Sequence, residues 1–228
     1  SVPVSASSAA ESTVSSVEET ASSAVDENEA AAAQLLNDLT GSYQELWPVI
    51  LADEYKQTWL DDCTALVGED NAEAAFEKLS SMVTGDVYGE DAVKAYANGG
   101  GAYFCGFTNS LAILTFDGET STISGTDKDG NVLFSHAYHY IGMEPVRGLY
   151  EFESDDADSG EFTYFFLAPD TSAETYHIEF RYGSDAEALS QYDTGEYAYW
   201  LASGISTDCD QTMIDNCIEL FCTENLAG

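Results

Sequence analysis

Hydrophobic residues recur at helical spacing through the first part of the chain and then switch to the two-residue period of β-strands. Residues 31–98 are rich in helix formers, with apolar residues three and four apart in "ADEYKQTWLDDCTALV" and "NAEAAFEKLSSMV". After "NGGG" at 98–101, short alternating runs follow, separated by turns such as "FDGE" and "KDGN". This order predicts helices followed by an antiparallel meander that closes into a barrel or folds into a sandwich. A last helical stretch places Met213, Cys217 and Leu220 on one face, which we expect to pack on the core.

The N-terminal end has a different composition. Residues 1–30 consist mainly of Ser, Ala, Val, Thr and Glu, without an aromatic residue. Such a segment cannot bury enough apolar surface to offset the entropy lost on ordering. We therefore predict a disordered tether over residues 1–33 and one folded domain over residues 34–228.

Charge narrows the classes of partner. The chain has 42 acidic residues against six basic ones, which gives a formal net charge of -36. Nucleic-acid binding depends on clustered Lys and Arg, so nucleic acid is excluded as a partner, and the same repulsion disfavours an anionic membrane surface. The acidic field favours cationic ligands, although acidity can also serve only to keep a protein in solution.

Several features indicate an exported protein, extracellular or at the cell surface. No apolar run is long enough to cross a membrane. The chain begins at Ser1 without Met, as after removal of a signal, and a lipid-bearing cysteine is expected just upstream of Ser1. The sequence has five cysteines: Cys63, Cys105, Cys209, Cys217 and Cys222. Their spacing matches no zinc ribbon. In an exported protein they could form two disulfides and leave one free thiol, and the sequence does not determine which cysteines pair.

Motifs for enzymatic activity are absent from the sequence. It contains no G-x-S-x-G, HExxH, P-loop or Gly-rich dinucleotide turn, so we predict that the protein is not an enzyme. Cysteine–histidine catalysis by Cys105 with His139 or His177 has no motif to support it. The segment "DKDGN" resembles a calcium loop only faintly and lacks the glutamate that such a loop requires, so it predicts a hairpin turn.

The order of segments resembles the ZinT/YodA family, exported bacterial zinc-binding proteins with a lipocalin-like (calycin) β-barrel. The likeness covers about residues 40–226. It rests on "GSYQELWPVILADEYKQ", on "VRGLYEFESDDADSGEFTYFFLAP", on "HIEFRYGSDAEAL", which is similar to the family's His-x-His strand, and on "YDTGEYAYWLASGI". The resemblance implies a mainly β, α+β fold with a helical N-terminal part, a lipocalin-like antiparallel barrel and a C-terminal helix. It also implies a monomer that captures zinc and delivers it to a metal-uptake transporter.

The family's expected zinc ligands are the two histidines of the His-x-His strand and one from the preceding loop. Aligned on "FRYG", His177 keeps the first position of the pair and Glu179 takes the second. Asp170, in "LAPDTS", lies closest to the loop position, and a competing alignment places Phe165 there, which cannot ligate a metal. The predicted ligands of Zn²⁺ are thus His177, Glu179, Asp170 and a water. Because carboxylates are harder donors than imidazole, Mn, Fe or Ca become more competitive.

Strand geometry supports part of this site. Residues i and i+2 of a strand share a face, so His177 and Glu179 are predicted to project side by side. His136 and His139 are three apart and therefore on opposite faces, and His139 is a distant fourth ligand only if it faces the barrel interior. A reading without a metal stays open, in which Glu179 bonds to His177 or pairs with Arg181.

Two other functions stay open from the sequence. A barrel without a metal site would use its aromatic residues to bind a small apolar ligand or a protein partner. The candidate lining residues are Tyr164, Phe165, Phe166 and Tyr176. An adhesion domain would instead expose an apolar patch. Convergence of three ligand atoms on one point separates the metal-binding function from the other two.

Overall fold

The computed structural model describes residues 27–169 and 177–228. They form a closed antiparallel barrel of eight strands, in which each strand pairs with its sequence neighbours and the last pairs with the first. The strands are β1 (Gly41–Glu45), β2 (Ile113–Asp117), β3 (Thr122–Thr126), β4 (Val132–Met143), β5 (Tyr150–Ser154), β6 (Tyr164–Leu167), β7 (His177–Gly183) and β8 (Ala202–Ser206). The predicted fold class, an antiparallel lipocalin-like barrel with flanking helices, is confirmed.

Helices precede, interrupt and follow the barrel strands. They are α1 (27–38), α2 (Leu46–Ile50), α3 (Lys56–Val67), α4 (Glu69–Ser81), α5 (Glu90–Ala97), α6 (Ala186–Leu189) and α7 (Gln211–Leu226). Short 3₁₀ turns cover Asp53–Tyr55 and Gly160–Phe162. In the part of the chain that the structure describes, none of these helices has the length and apolarity that a membrane span requires.

The barrel interior is filled with stacked aromatic rings. Phe165, Phe180 and Tyr182 are fully buried. Ring centroids lie 5.3 Å apart for Phe165 and Tyr182, and 4.0 Å apart for Phe134 and Phe162. The alternation of β2 and β3 adds further apolar side chains to the same interior, which makes it a packed core.

The predicted turn at "DKDGN" joins β3 to β4. The Asp127 carboxylate accepts hydrogen bonds from the backbone N–H groups of Asp129 and Asn131, both at 2.9 Å. Gly130 has a φ of +82°, a left-handed conformation that glycine adopts without strain. The segment is a hairpin turn, as its sequence indicates.

A second hydrophobic cluster lies outside the barrel, between the β-sheet and helices α2, α3, α4 and α7. Trp59 is fully buried there, and its indole N–H donates to the carbonyl of Ile50 at 2.7 Å. Phe221 of α7 packs edge-on against Trp47, with ring centroids 4.6 Å apart. We call this set of helices the helical layer.

The face that α7 buries differs from the prediction. Ile214, Cys217, Ile218 and Cys222 are buried, whereas Met213 and Leu220 are only partly buried. The helix begins at the N-cap Asp210, whose carboxylate accepts from the backbone N–H of Met213. The buried stripe therefore passes through Cys217 but is rotated from the predicted one, because helix spacing alone fits several overlapping stripes.

Two boundaries also differ from expectation at the N-terminal side. Strand β1 lies inside the region 31–98, which the sequence pattern predicts to be mainly helical, and it closes the barrel by pairing with both β2 and β8. Helix α1 runs through residue 33, the predicted end of the tether, and fully buries Ala32. The folded part thus includes residues 27–33. The tether stays a prediction for residues 1–26, which lie outside the described residues.

Candidate metal-binding site

Strand β7 separates its side chains cleanly between the two walls of the barrel. Ile178, Phe180 and Tyr182 are buried in the interior. His177 and Glu179 therefore project outward together, opposite Ile205 and Ser203 of β8, and both are half-buried. The predicted side-by-side pair thus lies on the outer wall, a choice that the sequence leaves open.

Glu179 lines a cavity of about 290 Å³ on this wall. The other lining residues are Arg147, Leu149, Ala168, Pro169 and Leu201. Pro169 is the last residue before the segment 170–176, and His177 is the first after it. The predicted third ligand, Asp170, lies in that segment, outside the described residues, so its place in the site stays a prediction.

Two thiols lie close enough to Glu179 for its charge to act on them. Burial raises the pKa of the Cys105 thiol to about 12, and the Glu179 carboxylate contributes to that shift. Burial likewise raises the pKa of Cys217 to about 12, with a smaller contribution from Glu179. Both thiols are protonated at neutral pH, which makes them poor metal ligands and poor nucleophiles.

His139 lies on a different part of the barrel. It faces outward from β4, opposite Glu153, with its Nδ1 2.6 Å from Asp155 Oδ1 and its Nε2 3.8 Å from Glu153 Oε2. Strand β4 is three strands from β7, a separation of about 14 Å at the usual spacing between neighbouring strands. The structure does not bring His139 to His177, and the condition for its role as a fourth ligand, an inward orientation, is not met.

His136 occupies the opposite face of β4, as its spacing from His139 predicts. It lies on the face of the buried Phe134 and Tyr138, and its Nδ1 is 2.6 Å from Asp156 Oδ2. The acidic hairpin after β5 thus supplies a carboxylate to each of these two histidines. Their role in the described structure is to join β4 to that hairpin.

Arg181, the proposed alternative partner of Glu179, is committed to the backbone of a loop. Its guanidinium is fully buried and donates to the carbonyls of Leu189, Gln191 and Tyr197. It also lies 4.4 Å from the ring centroid of Tyr192. Arg181 thus fixes the connection between β7 and β8 through carbonyl dipoles and a tyrosine ring.

Arg147 is the functional candidate that sequence reasoning missed. Its guanidinium lies 4.6 Å from the centroid of the same Tyr192 ring and donates to the Tyr103 hydroxyl at 3.3 Å. The Tyr192 hydroxyl in turn donates to Glu144 Oε2 at 3.0 Å, and Glu144 is buried. The sequence offered one signal for Arg147, the rarity of basic residues: it is one of only six Lys and Arg residues in the chain.

The donor types at β7 fit zinc, but the described residues do not complete a site. Imidazole nitrogen and carboxylate oxygen are both common zinc ligands. Within residues 27–169 and 177–228, no group of three or more His, Cys, Asp or Glu side chains is placed to hold a metal ion. His177 and Glu179 supply two donors, and further ligands have to come from residues 170–176 or from solution.

The aromatic residues proposed for an apolar pocket have other roles. Phe165 belongs to the packed interior, and Phe166 is buried on the outer wall opposite Arg181. The Tyr164 hydroxyl donates to Glu153 at 3.2 Å. Tyr176 lies outside the described residues. The described aromatics are therefore core or surface contacts, and none of the three lines the cavity at Glu179.

The chain folds as a lipocalin-like barrel with a helical layer. Its candidate site is a histidine–carboxylate pair on the outer wall of the barrel. The solved zinc-bound ZinT-like domain of Streptococcus pneumoniae AdcA has a TM-score of 0.51 and 15% identity, covering 81% of this chain and 89% of that domain. Zinc-bound AdcA from the same organism has a TM-score of 0.46 and 14% identity, covering 85% of this chain and 35% of the AdcA chain. No family profile and no curated protein matches the sequence. The likeness to the ZinT-like domain confirms, at the level of the fold, the resemblance found in the sequence.

Proposed function

We propose that this chain is an exported protein that binds a divalent metal ion at the outer wall of β7, and that this ion is zinc. The observation that carries the proposal is the common outward orientation of His177 and Glu179, of which Glu179 lines an open cavity. The solved structure with the similar fold is described as Zn(II)-bound, which supports the choice of metal. The acidic field of a chain with a net charge of -36 raises the local concentration of cations.

The proposed first ligands are the His177 imidazole and the Glu179 carboxylate, with Asp170 as the third and a water as the fourth. A set with one imidazole and two carboxylates is harder and more anionic than three imidazoles. We therefore expect weaker zinc binding and broader selectivity, with Mn²⁺ and Fe²⁺ as competitors. No chemical step on a substrate is part of this function.

A half-buried site with a water ligand suits release as well as capture, because an acceptor can replace the water before the protein ligands leave. We propose delivery of the ion to a component of a metal-uptake transporter at the cell surface. In this proposal the protein acts as a monomer and is held at the membrane by a lipid anchor upstream of Ser1.

The test is calorimetric zinc titration of the full chain in moderate salt, which screens the diffuse acidic field. We expect one-to-one binding tighter than about 1 µM, weakened at least about tenfold by His177→Ala and by Glu179→Gln. His139→Ala is the matched control, since it removes an imidazole from the outer wall at a distance from β7. Equal binding by His177→Ala and the parent protein would exclude the proposed site.

A further inference from the structure

Among the described residues that line the cavity beside β7, one carries a negative charge and one a positive charge. Glu179 supplies a carboxylate and Arg147 a guanidinium, and the remaining lining is Leu149, Ala168, Pro169 and Leu201. At about 290 Å³ the cavity lies near the lower end of the range for small-ligand sites. It therefore suits a small ligand that carries both charges.

Arg147 is held in position from two sides. Its guanidinium lies 4.6 Å from the Tyr192 centroid and 5.8 Å from that of Tyr103. Its backbone N–H donates to the buried Glu144 at 2.9 Å, and Glu144 also accepts from the Tyr192 hydroxyl. Cation–π contacts and this shared carboxylate reduce the conformational entropy that binding would otherwise cost.

The charge of Arg147 is available for a ligand. Within residues 27–169 and 177–228, the Arg147 guanidinium has no carboxylate oxygen within 4.0 Å. Arg181 adds a second guanidinium over the same tyrosine ring, 4.4 Å from its centroid. A planar guanidinium can donate two parallel hydrogen bonds to the two oxygens of a carboxylate, so a carboxylate is a common binding partner of arginine.

We propose that the cavity takes its metal ion together with a small carboxylate, whose oxygens accept hydrogen bonds from the Arg147 guanidinium. This inference rests on the proposed metal-binding function. Glu179 would repel a carboxylate that arrives alone, and Arg147 would repel a bare divalent cation. In a metal–carboxylate complex the metal ion lies at His177 and Glu179 and the carboxylate lies at Arg147. Glu179 then attracts the metal ion, and Arg147 attracts the carboxylate.

The test uses Co²⁺ as a spectroscopic substitute for zinc and acetate as the carboxylate. Acetate is titrated into the cobalt-loaded full chain at constant ionic strength, and the visible absorption of the metal is recorded. We expect a saturable spectral change whose apparent affinity falls at least tenfold in Arg147→Gln. Arg147→Lys keeps the positive charge but loses the planar guanidinium. Its apparent affinity for acetate should lie between those of the parent protein and Arg147→Gln. Lys94→Gln, which removes the same charge from an exposed position on α5, should match the parent protein.

The outcomes separate this inference from the metal site itself. If cobalt does not bind to the parent protein, the proposed function fails and this inference fails with it. If cobalt binds and acetate changes the spectrum equally in the parent and in Arg147→Gln, or in neither, the metal site stands and the role of Arg147 is overturned. Far-UV circular dichroism confirms that each variant is folded.

An independent observation concerns the helical layer. Cys63 of α3 and Cys222 of α7 are both fully buried, and their sulfur atoms lie 4.0 Å apart. A disulfide bond is about 2.05 Å long, so its formation needs the two sulfurs to approach by about 2 Å. We infer that Cys63 and Cys222 become a disulfide when the chain folds in an oxidising compartment, and this inference rests on the export part of the proposed function.

The oxidant in this step is another disulfide, that of a protein in the cell or of oxidised glutathione in the test. The thiolate of one cysteine attacks it to form a mixed disulfide, and the second thiolate displaces the oxidant, which leaves as a dithiol with two electrons and two protons. Burial raises the pKa of both thiols in the folded chain. The exchange therefore belongs to the stage of folding before α7 packs on α3, when the thiols are accessible.

The test is refolding of the full chain in a glutathione redox buffer, followed by alkylation and peptide mass spectrometry. We expect a linked Cys63–Cys222 peptide in the parent protein and in the control Cys217→Ser, and a melting temperature about 5–15 °C above that of the reduced protein. Cys222→Ala should lose both the linked peptide and the increase. A parent protein that refolds with Cys63 and Cys222 alkylated, or paired with other cysteines, would overturn the assignment.

Discussion

Glu179 lies directly opposite Ser203 where β7 pairs with β8, on the outer wall of the barrel. The backbone N–H of Ser203 donates to the carbonyl of Cys105, so the segment at Cys105 runs alongside β8. The aromatic core begins on the other side of the strand, at Phe180. The proposed metal ligands and the barrel core thus lie on opposite faces of the same strand. A substitution on one face can therefore change the metal site without changing the core, or the reverse.

Replacement of Arg181 should destabilise the protein strongly even when its charge is kept. Arg181→Lys retains a cation but cannot donate to the three loop carbonyls at once, so buried carbonyl groups lose their partners. We expect a loss of about 3–5 kcal/mol in the free energy of unfolding, measured by urea denaturation.

The control for Arg181 is Lys94→Met on the exposed surface of α5. Lys94 forms an exposed pair with Asp91 at 3.0 Å, and such pairs contribute little. Its replacement should leave the urea midpoint of unfolding unchanged. A similar small effect for Arg181→Lys would show that the carbonyl contacts do not hold the loop.

Glu151 should make the stability depend on pH in an unusual direction. Burial, assisted by the neighbouring charge of Glu144, raises the pKa of the Glu151 carboxyl above its ordinary value. A raised pKa in the folded state means that this residue contributes stability at low pH, where it is neutral, and that the contribution is lost as the pH rises through the folded pKa.

Glu151→Gln should therefore raise the melting temperature at pH 7, and the increase should vanish below about pH 4. Thermal unfolding across this pH range measures the difference. Glu77→Gln on the exposed surface of α4 is the matched control and should leave stability within about 0.5 kcal/mol of the parent. A melting temperature for Glu151→Gln below that of the parent at pH 7 would contradict the assignment.

Gly118 tests whether α1 belongs to the folded domain. A Cβ at this position would lie 2.4 Å from the Cα of Asn37 in α1, a contact with backbone that no side-chain rotation relieves. Gly118→Ala should cost about 1–3 kcal/mol and speed proteolysis within α1. In Gly100→Ala the new Cβ would meet nothing nearer than 3.5 Å, so stability should be unchanged or slightly higher. Equal behaviour of the two variants would mean that α1 does not pack on the barrel as described.

Much of the barrel follows from the sequence, because alternation and turn residues act locally. The hairpin at Asp127 and the opposite orientations of His136 and His139 need only the period of a strand. Strand β1 escaped detection because it is short, lies between two helices and contributes one buried side chain, Tyr43. Its pairing with both β2 and β8 is a long-range property that no local pattern records.

The candidate site was harder to predict for a related reason. The common face of His177 and Glu179 follows from their spacing, but the choice between the inner and outer walls depends on which strand face carries the core. Arg147 reaches the cavity from the connection between β4 and β5, far from β7 in the sequence. Proximity of that kind comes from barrel closure, and a single sequence contains no direct signal for it.

The proposed zinc site at His177 and Glu179 is tested most directly by an anomalous difference map from a crystal of the full chain loaded with zinc, recorded at the zinc absorption edge. We expect one strong peak on the outer wall of β7, about 2.0–2.2 Å from an imidazole nitrogen of His177 and from a carboxylate oxygen of Glu179. A peak between His139 and Asp155, or zinc scattered over the acidic surface with none at His177, would contradict it.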